Sequence, residues 1–361
     1  MTPKFSVIIV NYNAGPLLQV AIDSLKAQTR SDFELILVDN ASSDGSLDKL
    51  ALAGLPDCKV LPQTANLGFA AGNNLAVEHA AGEWLVLLNP DAWAEPDWLD
   101  RIAAAIDTYP DVAQFASLQI DANDPSRLDG AGDAYLGFGF PWRGGFGHPV
   151  PETLAPSECF SPCGAGAVIK KASFDAVSGF DERFFCYCED VDLGYRLRQR
   201  GGCCVFLPDA RIHHVGSAVS GRTSEFTIYH GTRNRLALYL KNTPTPLLLA
   251  TAPVHLALTL YLIVRACMTG RQAGMLKGLR DGLGLGFRCR SGQSWREVRP
   301  TASHAELATA MAWNPFTMSQ RKVHLLPLKN VCSAEPAVQS MPGKIAAPVS
   351  PMAAISSRLR R

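Results

Sequence analysis

Four short apolar segments in the first third of the chain each lead into asparagine or aspartate. They read FSVIIV, ELILV, CKVL and EWLVLL, and the polar residues that follow them are Asn11, Asp39, Asn66 and the pair Asn89 and Asp91. Short apolar runs bounded by turn-forming residues are typical of buried β-strands. The segments therefore predict four strands that end in the same kind of side chain.

Helical patterns separate these strands. Strands that alternate with helices predict βαβ units and a parallel sheet, in which the four polar ends collect along one edge. Ligands of open α/β sheets bind at that edge, beyond the carboxyl ends of the strands. Taken singly, the polar residues are ordinary turn formers and helix caps, but four in succession favour a ligand site. The predicted helices are 16–28, 44–53, 70–80 and 96–108.

The ligand at this edge is not held by a glycine-rich phosphate loop. No G-x-G-x-x-G follows the first strand and no G-x-x-x-x-G-K-[ST] occurs in the chain, which argues against a nicotinamide oxidoreductase and a P-loop NTPase. A nucleoside diphosphate bound here needs another group to neutralise its charge. A divalent cation would do so, and Asp91 offers a hard oxygen ligand at the end of the fourth strand.

Charge is unevenly distributed along the 361 residues, 47% of which are hydrophobic and sufficient for a buried core. Up to Val264 there are 19 basic and 29 acidic side chains, whereas from Arg265 onward there are 15 basic and 4 acidic ones. An acidic domain with a basic tail predicts that the tail meets an anionic partner, either a membrane surface or nucleic acid. The ten cysteines include no C-x-x-C, so we expect reduced, mostly core cysteines in a cytoplasmic protein.

Several motifs of the chain occur in the order seen in one enzyme family. They are VIIVNYN, LVDNASSDGS, NLGFAAGNN, LLNPDA, GAGAVIKKASFDAVSGFDERFFCYCEDVDLGYRLRQRG and HHVGS. In this order they resemble the family-2 glycosyltransferases, with most similarity to non-processive, rhamnosyltransferase-like members. The likeness covers roughly residues 4–242. It implies a GT-A fold, which is a Rossmann-like α/β fold with a mixed, mostly parallel sheet flanked by helices.

The resemblance also implies a nucleotide-sugar donor, a divalent cation (Mg²⁺ or Mn²⁺) and inversion at the anomeric carbon. Carried onto the matching positions, Asn11 and Asp39 would contact the nucleoside, and Asn66 with Asn73 would support the donor pocket. We therefore expect residues 1–118 to form the donor-binding half of a catalytic domain 1–242, and residues 119–242 its acceptor and catalytic half.

The family's D-x-D motif reads N-P-D at 89–91, with Asp91 as the implied metal ligand and Asn89 on the donor side. Because an amide replaces one carboxylate, a second metal ligand is more necessary. Strand alternation points only one of His213 and His214 into a cleft, and the family motif selects His213. Two surface histidines are the alternative interpretation.

The acidic stretch EDVD at 189–192 offers a separate carboxylate. Glu189 and Asp190 match the family's ED pair, so Asp190 is the predicted catalytic base and Glu189 an acceptor-side residue. A carboxylate bound to a cation is a poor base, which favours a division of labour between Asp91 and Asp190. An acidic first turn of a helix is the alternative, and we accept it for Asp192.

Glycines and one arginine complete the predicted site. Gly164 and Gly166 would allow an acceptor to approach closely, because they lack side chains. The glycine-rich stretch 130–151 predicts a mobile loop that closes over the cleft. Arg233 lies in a Y-x-x-x-R-N element similar to one in the family, where it could pair with the donor diphosphate. A solvated or packing arginine is an equally good interpretation.

The last third predicts a membrane-associating segment at 243–290. Residues 247–268 are long enough to cross a bilayer, which takes ~20 apolar residues. They contain Pro253, His255 and Arg265, so a spanning helix, an interfacial helix and a helix packed on the domain all stay open. The basic residues after it favour an interfacial helix on the anionic cytoplasmic face of the inner membrane. Sparse aromatic residues argue against nucleic acid as a partner.

The predicted function is therefore a non-processive inverting transfer of a sugar such as rhamnose to a saccharide or lipid-linked acceptor. A processive polysaccharide synthase is the nearest alternative, but its Q-x-x-R-W is absent. A catalytically inactive nucleotide-sugar- or carbohydrate-binding protein is the other alternative, because the D-x-D is incomplete. Residues 291–361 are expected to form a basic, largely disordered tail.

Overall fold

The four apolar segments form neighbouring parallel strands, and all four predicted strands are confirmed. Every residue of the first two strands is buried, since helices cover both faces of the sheet. The register sets Asn11 opposite Asp39, so the polar ends lie on one edge as predicted. The strands are β1 (Phe5–Asn11), β2 (Phe33–Asp39), β3 (Cys58–Pro62) and β4 (Trp84–Leu87). The structure is a computed structural model that describes residues 3–48, 50–216, 221, 224–291 and 301–328.

Three predicted helices are confirmed as α1 (Leu17–Lys26), α2 (Gly68–Glu78) and α3 (Trp98–Thr108). Helices α1 and α3 pack on one face of the sheet and α2 on the other. The buried residues of α1 are spaced three or four apart, which places them on one side of the helix.

The predicted helix at 44–53 is wrong, because the described residues of this range form turns. The Asp44 carboxylate accepts hydrogen bonds from the backbone N–H groups of Gly15 (2.7 Å) and Ser46 (3.0 Å). An aspartate that bonds nearby backbone in this way stabilises a turn in competition with a helix.

The second half of the domain extends the same sheet in the order β10-β12-β6-β11-β4-β1-β2-β3. Strand β12 runs parallel to β6, whereas β11 is antiparallel to both of its neighbours. The predicted mixed, mostly parallel sheet is thus confirmed. The added elements are β5 (Ala92–Ala94), β6 (Gln114–Asp121), β7 (Leu128–Ala131), β10 (Ser157–Cys159), β11 (Ala167–Lys170), β12 (Cys204–His214), α4 (Lys171–Ala176) and α5 (Glu189–Gln199).

The glycine-rich stretch 130–151 differs from the predicted mobile loop. It contains a hairpin of β8 (Asp133–Leu136) and β9 (Phe140–Arg143). Tyr135 and Leu136 are fully buried in this hairpin, which packs on the C-terminal part of the chain. The apolar residues between the glycines supply a core, and that contact is not visible in local composition.

Two helices after the sheet pack closely through a row of glycines. They are α6 (Glu225–Asn242) and α8 (Gln272–Ser291), and four glycines of α8 at spacing four face α6. A Cβ at Gly278 would lie 2.7 Å from the carbonyl oxygen of Tyr229, and one at Gly282 would lie 2.5 Å from that of Arg233. The two backbones therefore approach at a distance that only glycine permits.

Helix α7 (Thr245–Met268) connects these two helices in the chain and is 24 residues long, and its most apolar stretch of 18 residues has a mean hydropathy of 2.1. Within the described residues it is the one helix long and apolar enough to cross a membrane by length and composition. About 17% of that 18-residue stretch is buried in the protein. His255 anchors its inner side by stacking on Tyr239, with ring centroids 4.1 Å apart. Its exposed large apolar residues are Leu249, Val254, Leu256, Leu260, Tyr261, Val264 and Met268.

Part of the predicted disordered tail is folded. Residues 301–328 form α9 (His304–Thr309) and α10 (Pro315–Ser319), and Leu326 exchanges two backbone hydrogen bonds of 2.8 Å with Glu158. Leu307 and Met311 are buried, so their contacts with the domain order a segment whose composition suggests a linker. The rest of the predicted tail, 292–300 and 329–361, lies outside the described residues.

Candidate active site

A cleft of about 920 Å³ opens at the carboxyl ends of β1 and β4. We call its two sides the strand-end wall and the loop wall. The strand-end wall comes from residues that follow the central strands: Tyr12, Asn40, Asn89 and Asp91. The loop wall comes from the segment 185–191, with Gly164 beneath it. Strand β9 and helix α6 close one end.

The cleft brings together half of the predicted site residues. Asp91 and Asp190, which were predicted from separate motifs, both line it. The full set that lines the cleft is Asn66, Asn89, Asp91, Gly164, Glu189 and Asp190. The predicted residues outside its lining are Asn11, Asp39, Asn73, Gly166, His213 and Arg233.

Asp190 is fixed by backbone donors at the start of α5. Its Oδ2 accepts from the N–H of Gly164 at 2.9 Å, and its Oδ1 accepts from that of Val191 at 2.8 Å. A Cβ on Gly164 would lie 2.9 Å from the Phe69 ring, so a side chain there would displace this support. Burial raises the pKa of the Asp190 carboxyl above its ordinary value, and both backbone donors and Arg143 oppose that shift.

The loop before Asp190 is held in an unusual conformation. Phe185, Tyr187 and Cys188 have φ angles of 65°, 72° and 66°, a region that residues with side chains rarely adopt. The Nδ2 of Asn234 on α6 lies 2.7–2.8 Å from the carbonyl oxygens of Phe184, Cys186 and Tyr187. Such strain persists only where surrounding contacts enforce it. Asn234 therefore positions the loop wall, and with it the carboxylate of Asp190.

Acidic groups crowd the floor of the cleft around one arginine. Single ligand atoms of Asp133, Cys163 and Asp190 lie within 4.8 Å of one another. Burial and the nearby Asp190 hold the pKa of Asp133 well above its usual range. Burial acts to lower the pKa of Arg143, but the acidic groups around it outweigh this effect and raise the pKa. Arg143 also pairs with Asp129.

Glu189 lines the cleft beside Asp190 but is more isolated. It is buried, and its Oε2 has no hydrogen-bond partner among the described residues. Burial and the adjacent Asp190 hold the pKa of Glu189 well above its usual range. This favours a protonated Glu189 next to the predicted base.

Asp91 lies on the strand-end wall in contact with His214. The Nε2 of His214 is 3.2 Å from Asp91 Oδ1 and 3.2 Å from Asn89 Nδ2. Its Nδ1 is 2.7 Å from Oδ2 of the buried Asp129. Burial acts to lower the pKa of His214, but the two carboxylates outweigh it and raise the pKa to about 9.

The structure changes which histidine belongs to this site. His213, the predicted ligand, points away from Asp91: its Nε2 is 2.7 Å from Glu95 Oε1 and its ring stacks on Trp93. Neighbouring residues of a strand face opposite sides, so only one of the pair can reach the cleft. The antiparallel pairing of β12 with β5 determines that this residue is His214.

Four of the predicted residues outside the lining support the strand-end wall from behind. Asn11 is fully buried and donates to Asp39 Oδ1 at 2.7 Å, so the two side chains bind each other. Asn73 donates to the carbonyl of Phe69 one helical turn earlier. A Cβ on Gly166 would lie 2.6 Å from Ile212, so this glycine allows β12 to approach.

Arg233 faces a separate cavity of about 480 Å³ between α6 and α8. Its guanidinium donates to the carbonyl of Arg183 rather than pointing at the donor pocket. Arg235, two residues later, lines the main cleft instead. Two residues in a helix are about 200° apart, so the two arginines point in nearly opposite directions.

Sequence reasoning missed several residues of the cleft, among them Asp133, Arg143, His214 and Arg235. His214 was considered and set aside for its neighbour. Asp133 and Arg143 lie in the stretch predicted as a mobile loop, where alternation of apolar residues in DAYL was the available signal for a strand. Arg235 had no local signal that separates it from Arg233, the other arginine of α6.

Comparison with known proteins identifies the family. The model of Glycosyl transferase family 2 matches residues 6–177. The chain is 32% identical over 249 residues to the N-acetylglucosaminyl-diphospho-decaprenol L-rhamnosyltransferase of Mycobacterium tuberculosis, and the match covers 62% of this chain and 79% of that protein. The chain therefore belongs to glycosyl transferase family 2 and is a glycosyltransferase, as the motifs predicted.

Solved structures agree with the GT-A fold. GalNAc-T7, crystallised with UDP, GalNAc and Mn²⁺, superposes with a TM-score of 0.54 at 18% identity over 66% of this chain. The match spans 48% of GalNAc-T7, about half of its length. The mannosyltransferase PcManGT from Pyrobaculum calidifontis, in complex with GDP-Man and Mn²⁺, gives a TM-score of 0.51 at 18% identity, over 78% of this chain and 88% of that chain.

Proposed function

We propose that this enzyme transfers a sugar, such as rhamnose, from a nucleoside-diphosphate sugar to a hydroxyl group of a saccharide or lipid-linked acceptor, with inversion at the anomeric carbon. The observation that carries the proposal is the placement of Asp91 and Asp190 in one cleft, on opposite walls. The similarity to a rhamnosyltransferase supports the choice of sugar.

Inverting transfer is a single displacement. The acceptor oxygen forms a bond to the anomeric carbon as the bond from that carbon to the diphosphate breaks, and the electron pair leaves with the diphosphate. Asp190 accepts the proton of the acceptor hydroxyl. Each of its oxygens accepts one backbone N–H, so both keep capacity for a further hydrogen bond. A raised carboxyl pKa makes Asp190 a stronger base than an exposed aspartate.

Asp91 and His214 fit a divalent cation, and its binding would displace the proton that the two carboxylates favour on the imidazole. An aspartate oxygen and an imidazole nitrogen lie 3.2 Å apart and face the cleft, and Asp129 holds the other ring nitrogen of His214. A carboxylate that orients a histidine in this way is common behind metal ligands. Asn89 contributes an amide beside them. Bound Mg²⁺ or Mn²⁺ would neutralise charge on the leaving diphosphate.

The cluster of Asp133, Cys163 and Asp190 suits such a cation less well. Mg²⁺ and Mn²⁺ prefer oxygen over sulfur, so the Cys163 thiol is a poor ligand for either cation. A cation at this cluster would occupy the carboxylate that the reaction needs as a base.

The donor would lie along the strand-end wall. Asn66 and Asn89 line this wall and can contact the donor directly. Asn11 and Asp39 act from behind it, by fixing the turn that follows β2. Asn73 shapes α2 in the same supporting way. Gly164 and Glu189 lie on the acceptor side, next to Asp190.

A lipid-linked acceptor agrees with attachment to the cytoplasmic face of the inner membrane. The outer side of α7 exposes a row of large apolar residues, and basic residues follow on α8. An exposed apolar helix flanked by cations is typical of a segment bound at an anionic lipid surface. Such attachment would bring the cleft to an acceptor that cannot leave the membrane.

A donor screen tests the proposal. Thermal unfolding would be followed with nucleoside-diphosphate rhamnose, UDP-GlcNAc and GDP-mannose, each with and without Mn²⁺. We expect one donor to raise the unfolding temperature, and to do so more strongly with Mn²⁺. That donor would then be incubated with N-acetylglucosaminyl-diphospho-polyprenol, and NMR of the product should show the opposite anomeric configuration to the donor.

The same assay separates the alternatives. An inactive binding protein would be stabilised by a donor but give no product. A processive synthase would add many sugars to one acceptor, visible as a ladder by mass spectrometry. Absence of both stabilisation and transfer with every donor would contradict the proposal, and retention of anomeric configuration would contradict the mechanism.

A further inference from the structure

Arg235 presents to the cleft a cation that no carboxylate of the described residues pairs with. It lies on α6, and its Nε and Nη2 atoms are buried yet have no hydrogen-bond partner among the described residues. Its guanidinium stacks on the Phe140 ring at 4.4 Å. Burial lowers the pKa of Arg235 to about 10, so the side chain still carries its charge at neutral pH. A buried charge without a partner costs free energy that other contacts must offset.

Other arginines of this domain provide a comparison for Arg235. Several of them pair with a carboxylate, whereas within the described part of the chain Arg235 has no carboxylate at ion-pair distance. The paired examples are Arg143 with Asp129, Arg196 with Asp192 and Arg198 with Glu158. Among the described residues Arg235 therefore lacks the anion that these three arginines have, and its position on the cleft lets a ligand supply one.

The surroundings of Arg235 indicate which ligand brings that anion. On one side lies Cys188: burial raises the pKa of its thiol, and the charge of Arg235 opposes that shift. Cys188 directly precedes Glu189 and the proposed base Asp190. On the other side Phe140 contacts His255 of α7, with ring centroids 5.1 Å apart. Arg235 thus lies between the catalytic carboxylate and the helix that exposes apolar side chains.

We propose that Arg235 binds the diphosphate of an acceptor in which the first sugar is joined to a polyprenyl chain through that diphosphate. The acceptor sugar then extends towards Asp190, and the lipid extends towards the exposed face of α7. The planar guanidinium fork matches two phosphate oxygens at once, which a lysine cannot do. This inference rests on the proposed function for the sugar transfer, but the binding of the diphosphate stands on the contacts of Arg235 itself.

The donor also carries a diphosphate, so the test separates the two sources. Isothermal titration would measure farnesyl diphosphate, farnesol and UDP, each without the other substrate, on the full chain. The variants are Arg235→Gln and, as a control that removes one exposed guanidinium from α3, Arg101→Gln. We expect Arg235→Gln to weaken farnesyl diphosphate binding by about tenfold or more, and to leave UDP and farnesol unchanged. Arg101→Gln should leave all three unchanged.

Two results would overturn the site. Equal affinity of Arg235→Gln and wild type for farnesyl diphosphate would remove Arg235 from acceptor binding. Loss of UDP affinity instead would assign Arg235 to the donor. Because the titration needs no turnover, a wild-type protein that transfers no sugar but binds farnesyl diphosphate through Arg235 would contradict the proposed reaction and support this site.

The unfolding temperature distinguishes a ligand-binding arginine from one that only stabilises the fold. Removing a buried, unpaired charge should leave the unfolding temperature of Arg235→Gln unchanged or higher, as is common where function conflicts with stability. A lower unfolding temperature would instead indicate a structural role. Arg235→Lys keeps the charge without the fork, and we expect its affinity for farnesyl diphosphate to fall between those of wild type and Arg235→Gln.

Discussion

The strand-end wall and the loop wall each carry one of the two carboxylates that the proposed reaction needs, but the two walls are built differently. Asp91 follows a regular strand, and its position is set by parallel hydrogen bonding within the sheet. Asp190 follows three residues in left-handed conformations that Asn234, almost fifty residues later, holds in place. One wall is a product of local pattern, and the other depends on a long-range contact that stabilises a strained backbone.

The difference has a consequence for how each wall responds to mutation. Changes on the strand-end wall should alter ligand affinity while the sheet stays intact. Changes behind the loop wall should alter stability and turnover together, because the same contacts stabilise the loop and position Asp190. The four predictions below test this contrast, from the largest expected effect to the smallest.

Asp190→Asn should lower kcat by about 10²–10⁴-fold, because the amide cannot accept the acceptor proton. Donor affinity should change little, since the proposed donor site is the strand-end wall. Steady-state kinetics and titration of the donor nucleotide would measure the two quantities. Asp209→Asn, at an exposed carboxylate of β12, is the matched control. Near wild-type kcat in Asp190→Asn would remove Asp190 from the reaction.

His214→Ala and His213→Ala together test which of the two histidines holds the cation at the strand-end wall. We expect His214→Ala to weaken the activating effect of Mn²⁺ by about 10–100-fold, because it removes a ligand and its supporting carboxylate contact. His213→Ala should leave the Mn²⁺ titration unchanged, since His213 contacts Glu95 and Trp93. The reverse ranking of the two variants would restore His213 as the ligand.

Asn234→Ala tests the loop wall without touching a substrate-facing group. It removes the donor shared by three carbonyl oxygens, so the free energy of unfolding should fall by about 1–3 kcal/mol. Turnover should fall with it, because the loop that positions Asp190 relaxes. Urea unfolding and kcat would be measured beside Asn123→Ala, which removes an exposed amide. A stable variant with normal kcat would show that the strained loop needs no such support.

Gly282→Ala and Gly284→Ala extend the comparison to the helices behind the loop wall. A methyl group at Gly282 would lie 2.5 Å from a carbonyl of α6, so we expect a loss of about 1–3 kcal/mol in unfolding free energy. At Gly284 the nearest atom is 3.7 Å away, at the end of the Arg288 side chain. There the better helix propensity of alanine should stabilise the protein by up to about 1 kcal/mol. Equal effects in urea unfolding would show that close packing of α6 on α8 does not matter.

Much of the strand-end wall could be predicted from sequence. The alternation of apolar runs with helices indicates the sheet, and the polar residue after each run indicates its edge. Asp91 and Asn89 follow directly from that pattern. Asn11 and Asp39 were placed at the right edge, but the pattern could not show that they face each other rather than the cleft.

The loop wall was less accessible to prediction. The motif containing Asp190 located the carboxylate, but the hairpin at 133–143 and the folded segment 301–328 depend on contacts between distant parts of the chain. Composition rich in glycine and alanine suggests mobility when read locally. The apolar side chains among those residues become a core only where another segment covers them.

By itself, the order of apolar and polar residues determined the α/β architecture and the ligand-binding edge, because both depend on strand and helix periodicity. The motifs that resemble the family added the two carboxylates, Asp91 and Asp190. Tertiary structure alone decided that His214 rather than His213 meets Asp91, and that Arg235 rather than Arg233 enters the cleft. In both pairs the residues are chemically identical and lie only one or two positions apart in the chain. Which one faces the ligand depends on strand register and on helix rotation, and both are set by packing against partners far away in sequence.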